Sequence, residues 1–112
     1  MDALRATLRA DPGAHAYVEL VHLYLETGEI QTAKTLVTTS LRLDPDHLDG
    51  RLALAQVELA AGRLDEAEKQ LERVLRSRPQ DTAATIALVD LLDQTGRKAV
   101  AIALLRRKIR LY

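Results

Sequence analysis

His15, Glu19, His22 and Glu26 recur at steps of four, three and four residues, a spacing that on a helix sets two imidazoles and two carboxylates along one face. Such a strip could bind a cation or change its charge near neutral pH. The two histidines, however, are separated by about 10 Å of helix rise, too far to share one ion, and the HExxH spacing of helical zinc sites is absent. The expected reading is a solvated polar strip, with no metal and no cofactor. Other reactive types are no better placed. Ser40 and Ser77 are the only serines and neither lies in a nucleophile motif, and no glycine-rich phosphate loop occurs. Asp65 with Glu66 reads as the acidic start of a helix, and the absence of cysteine removes disulfides and thiolate metal sites. The sequence therefore predicts a chain that is not an enzyme.

Charge narrows the partners. Sixteen basic residues cancel sixteen acidic ones, so the general attraction that a nucleic-acid backbone or an anionic membrane surface requires is missing. The balance is uneven at one place: Arg97 to Tyr112 holds six basic residues and no acidic one, a segment that could meet an acidic partner or RNA but reads first as a solvated final helix. The longest apolar run, Ala99 to Leu105, has seven residues, well short of the roughly 20 that span a bilayer. Met1 to Pro12 contains no apolar run of the kind a signal peptide needs. These features predict a soluble chain without membrane insertion, cytoplasmic, or periplasmic if it is a piece of a longer protein. The abundance of Arg, Leu and Ala suggests a GC-rich bacterial source.

The elements that would position these side chains repeat. Gly28, Gly62 and Gly96 stand 34 residues apart, and the same step carries Leu20 to Leu54 to Leu88, Ala33 to Ala67 to Ala101, and Arg42 to Arg76 to Arg110. Apolar residues at threes and fours predict helices over 14–27 and 30–43, then 48–61 and 64–77, then 82–95 and 98–111. A glycine inside each pair reverses the chain, Pro45 and Pro79 separate the pairs, and Asp46 and Asp81 are expected N-caps. Aromatics make up only 3% of the chain, so the core must be aliphatic. Aligning Pro12 with Pro45 and Pro79 makes the first dozen residues the end of a preceding second helix. The helix over 30–43 carries Thr32, Thr35, Val37, Thr38 and Thr39, each costing about 0.5 kcal/mol of helix propensity relative to Ala, so its amides are expected to exchange early once the neighbouring hairpin is destabilised. Arg9, Arg42, Arg76 and Arg110 fall at the ends of second helices, where a cation meets the negative end of the helix dipole.

In the first unit Tyr17, Leu20, Val21, Tyr24, Gly28, Ala33, Val37 and Pro45 resemble the signature of the tetratricopeptide repeat. Leu54, Ala55, Gly62, Ala67, Leu71 and Pro79 continue it in the second unit, and Leu88, Gly96, Ala101 and Leu105 in the third. Arg51 and Thr85 depart from it at the first aromatic, Glu58 and Leu92 at the second, and Lys98 stands where Ile30 and Leu64 pack. The resemblance implies an all-α fold, a right-handed superhelical stack of antiparallel helical hairpins (an α-solenoid). It would be a single domain over 1–112: a half repeat over 1–12, then repeats over 14–47, 48–81 and 82–112.

The resemblance further implies a concave groove lined by the first helix of each hairpin, receiving a peptide or a helix. In this register the groove would present Val18, His22 and Leu25, then Leu52, Gln56 and Leu59, then Ile86, Asp90 and Asp93. Relatives that clamp a terminal carboxylate use Lys, Arg and Asn at such places, so that mode is not expected here. An aliphatic floor with acidic residues at one end suits an amphipathic helix, or an extended segment with alternating apolar side chains and a basic end. Packing between adjacent helices is the competing use for the same Leu and Val residues. The last helix carries apolar residues on more than one face with no helix after it: either the chain is cut from a longer array, which the half repeat over 1–12 favours, or a second copy covers Ile102, Leu105, Ile109 and Tyr112 in a homo-oligomer, the alternative reading being a self-associating scaffold.

Overall fold

The computed structural model describes residues 16–109, and every regular element among them is helical. The helices are α1 (Ala16–Glu26), α2 (Ile30–Leu43), α3 (Leu48–Ala60), α4 (Leu64–Ser77), α5 (Thr82–Gln94) and α6 (Lys98–Lys108). The half repeat over 1–12, together with Arg9, His15, Arg110 and Tyr112, lies outside the described residues.

One turn is used three times. In the first hairpin Gly28 takes φ +81°, its amide bonds the Leu25 carbonyl at 3.2 Å, and the Glu29 amide reaches back to the Tyr24 carbonyl at 2.8 Å. This is the Schellman arrangement, which satisfies the orphan carbonyls at a helix end. Gly62 and Gly96 repeat the pattern, with Arg63 bonding Glu58 and Arg97 bonding Leu92, each at 2.8 Å.

The caps between hairpins correct one expectation. Asp81 caps α5, accepting the Ala84 amide at 2.9 Å. Asp46 does not cap α3: the N-cap is His47, whose side chain makes no capping bond. The 34-residue step from Asp81 lands on His47, one residue past Asp46, and the imidazole there is engaged by Tyr17 instead.

The core forms two clusters that share α3. Ala53 and Val57 join Tyr17, Val21, Ala33, Val37 and Leu41 in the first, while Ala55 joins Leu71, Val74, Ala84, Leu88 and Leu91 in the second. A helix apolar on opposite faces belongs between two others, and α3 packs on α1, α2 and α4. Ala33, Ala67 and Ala101 are buried at equivalent places, where small side chains allow close approach and leave the larger aliphatics to interdigitate. The threonines of α2 satisfy their hydroxyls locally, Thr35 donating to the Gln31 carbonyl at 3.1 Å and Thr38 to that of Lys34 at 2.8 Å.

Candidate functional site

The first helices α1, α3 and α5 follow one another along the stack but do not meet in the same way. At the first junction α1 packs directly on α3, and the corresponding contact between α3 and α5 is marginal at most. The Tyr17 hydroxyl hydrogen-bonds His47 Nδ1 and lies directly over Gly50. A Cβ at position 50 would collide with that hydroxyl and stand 3.0 Å from Leu41 Cδ2. Burial, then the charges of Asp44 and Asp49, push the Tyr17 pKa up to about 12. One helical turn and a half further along, His22 Nε2 meets Gln56 Oε1 at 2.6 Å. His22 is thus half-buried and partnered, contrary to the solvated strip expected from its spacing, whereas Glu19 and Glu26 are exposed as expected.

Glu58 stands where the family signature would have its second aromatic, and it is buried. Its carboxylate meets Lys34 Nζ at 3.3 Å and Arg63 Nε at 3.2 Å, which ties α2 to α3. A buried charge of this kind is tolerated because it is paired on both sides.

At the second junction the ties lie away from the first helices. Arg97, in the turn of the third hairpin, grips Glu68 of α4 at 2.5 and 3.1 Å, while Arg78 meets Asp49 at 2.6 Å within the second hairpin. The Arg97 hydrogen bonds hold the Glu68 carboxyl below its usual range, while burial and the neighbouring Glu68 raise that of Glu72. Between α3 and α5 a cleft of about 440 Å³ opens, lined by Gln56, Leu59, Ala83, Ile86, Ala87, Asp90, Leu91 and Gln94. Four of the nine groove residues expected from the register, Gln56, Leu59, Ile86 and Asp90, therefore line one space. Ile86 is 57% exposed at its mouth, and Asp93 is exposed nearby and pairs with Lys98 at 3.1 Å. Val18 and Leu25 pack on the first core cluster, and Leu52 and Leu59 on the second, so these four act at least partly as core.

A larger cleft of about 630 Å³ lies between α4, α5 and α6, with Arg76, Arg107 and Lys108 over Leu75, Leu88 and Leu104. Sequence reasoning did not single it out. Among the expected self-contact residues Ile102, Leu105 and Ile109 are all exposed. No group of histidine and carboxylate side chains suited to a metal occurs among the described residues, and no described helix is long and apolar enough to cross a membrane.

A family model described as tetratricopeptide repeat matches residues 24–84, more than half of the 112-residue chain. The chain belongs to the tetratricopeptide repeat family. Tetratricopeptide repeats generally mediate protein–protein interaction and are typically non-catalytic modules. Cellulose synthase operon protein C of Xanthomonas axonopodis pv. citri (strain 306) is 35% identical over 88 residues, covering 72% of this chain and 6% of that protein. Tetratricopeptide repeat protein 21B of Xenopus laevis is 31% identical over 61 residues, covering 54% of this chain and 5% of its own length. The chain thus spans only a small part of either relative, the length of a few repeats.

Proposed function

We propose that this chain is a non-catalytic adaptor that holds a segment of another protein along α1, α3 and α5, with the cleft between α3 and α5 receiving its principal side chain. The observation that carries the reading is the conjunction at that cleft. An exposed Ile86 and a half-buried Leu59 face the same space as Asp90, and Asp93 is exposed on the next turn. An aliphatic wall with carboxylates beside it favours an amphipathic helix or an extended segment that offers an aliphatic anchor and a basic end. Both relatives are long proteins in which a stretch of this length is a small part, which supports reading the chain as a module of a larger protein or complex.

The test uses a synthetic aliphatic peptide ending in arginines, its counterpart ending in glutamates, and fluorescence anisotropy. The basic peptide should bind the more tightly, and its affinity should fall with added salt. Ile86→Asp should weaken it at least about tenfold, the scale expected when an interface anchor is lost. The helical circular dichroism should stay unchanged, because Ile86 is exposed and touches little core. Equal binding of both peptides, or full binding by Ile86→Asp, would remove the groove from the reading.

A further inference from the structure

The cleft of about 630 Å³ between α4, α5 and α6 falls within the roughly 300–1,000 Å³ of clefts that hold ligands. The aliphatic part of its lining includes the half-buried Leu75 and Leu104. Beside them stand two exposed guanidiniums, Arg76 from the last turn of α4 and Arg107 from the last turn of α6. Glu72 is the one carboxylate among the described residues that line it, and it is already engaged by a hydrogen bond with Glu68 and by the charges of Arg76 and Arg97.

One period earlier the same place holds Arg42, Asp46, Gln70 and Arg73, and there Arg73 faces Asp46 at 3.9 Å. At the second junction Gln80 replaces Asp46 and Leu104 replaces Gln70, so a carboxylate is lost and the apolar wall grows. Among the described residues no carboxylate forms an ion pair with Arg107, the equivalent of Arg73. This openness is not owed to where the third hairpin stops. The first junction has a further hairpin after it, and the equivalent side chains stay in solvent there: Arg42 is exposed, and those of Arg73 and Asp46 are 46% and 94% exposed. Gln70 is half-buried, as is Leu104. Lys108 also lines the cleft but is not counted, because its equivalent Val74 is buried.

We infer that this cleft is a second docking site, which takes an acidic segment of a partner protein. One aliphatic side chain of the segment enters beside Leu75 and Leu104, and carboxylates on either side of it meet Arg76 and Arg107. Guanidinium groups hold carboxylates through paired, charge-assisted hydrogen bonds, and apolar walls beside them reduce the screening by water. An aliphatic wall offers nothing to a phosphate backbone, which is why a peptide suits the cleft better than RNA does. The site is separate from the cleft between α3 and α5. The two share no lining residue, and their charges differ, since Asp90 lines the one and two arginines the other. The same chain would therefore hold a basic segment at one junction face and an acidic segment at another.

Isothermal titration calorimetry on the full chain tests this with a synthetic peptide that carries one leucine between two pairs of glutamates. It should bind the parent at least about tenfold more tightly than the same peptide with lysines for glutamates or with alanine for leucine, and added salt should weaken it. Gln80→Asp restores the carboxylate of the first junction and should weaken binding about fivefold or more. Arg107→Glu should weaken it at least about tenfold and make the lysine peptide the preferred one. Both positions are exposed, so circular dichroism should show unchanged helicity in each variant. Ile86→Asp, which alters the other cleft, should bind the glutamate peptide as the parent does. Equal binding of the glutamate and lysine peptides by the parent, full binding by either Gln80→Asp or Arg107→Glu, or lost binding in Ile86→Asp would overturn the site. So would displacement of the peptide by a lower concentration of single-stranded RNA.

Discussion

Between the first two hairpins α1 rests on α3, the Tyr17 hydroxyl reaches His47 across Gly50, and His22 bonds Gln56. Between the second and third hairpins those places hold other residues. Arg51 replaces Tyr17, Asp81 replaces His47, Ala84 replaces Gly50, Gln56 replaces His22 and Asp90 replaces Gln56, and a cleft stands where the first junction is pinned. The backbone period is the same in both. What differs is whether polar groups about one period apart find each other across the first helices, so side chains rather than repeat geometry set where the cleft opens.

Four perturbations would break or sharpen this contrast. Tyr17→Ala should have the largest effect: removing a fully buried aromatic costs about 3–5 kcal/mol, read from urea unfolding, and it also removes the hydrogen bond to His47. A loss below that seen for an exposed residue would mean the first junction is not pinned there. Gly50→Ala comes next. The new methyl must displace the Tyr17 hydroxyl, an overpacking cost of about 1–3 kcal/mol from which up to about 1 kcal/mol of gained helix propensity is subtracted. The corresponding place at the second junction is already Ala84, so Ala84→Gly should not relieve any strain there and should only destabilise.

The third concerns acid. Glu68 is held below the usual 4.5 by Arg97, so its contribution is complete above pH 4.5 and is lost as pH falls through the lowered value. Glu72 is raised above 4.5, so its contribution has the opposite sign: present below pH 4.5 and lost as pH rises through the raised value. Glu68→Gln should therefore flatten the acid limb of the stability curve below pH 4.5 and let Glu72 titrate nearer its usual value. An unchanged acid limb would discount the Arg97 tie. The smallest effect belongs to the open junction, where Ile86→Ala should leave stability within about 0.5 kcal/mol of the parent, since Ile86 is 57% exposed. A loss of core size would mean that the cleft closes over it in solution.

Much of the fold was legible because its determinants are local. Three glycines, two prolines between hairpins and runs of apolar residues at threes and fours locate the described helices to within about the two residues by which helix ends ordinarily vary, except that α6 closes at Lys108, three residues before the expected end. The cleft was legible only in part. The register brought Gln56, Leu59, Ile86 and Asp90 to one cleft, but left Val18, Leu25 and Leu52 against the core, because an aliphatic at helical spacing serves either use and periodicity does not separate them. His22 shows what was overlooked. Counting along α1 makes it part of a polar strip, yet its partner Gln56 is one full period away, and residues a period apart become neighbours when hairpins stack. Glu58 was counted only as a departure from the signature, and its ion pairs with Lys34 and Arg63 depended on which side chains of α2 and the following turn lay opposite. Gly50, in the interior of a helix without a cap to serve, was the one available signal that a large side chain lay close by.

A Cβ built on Gly28, Gly62 or Gly96 would meet no atom within 4 Å, although the backbone at each has a sign that ordinary residues avoid. Handedness alone, and not room, reserves these corners for the achiral residue. A mirror-image alanine introduced there by chemical synthesis would fit the existing backbone and deprive the unfolded chain of freedom, raising stability by about 0.4–1 kcal/mol at each corner.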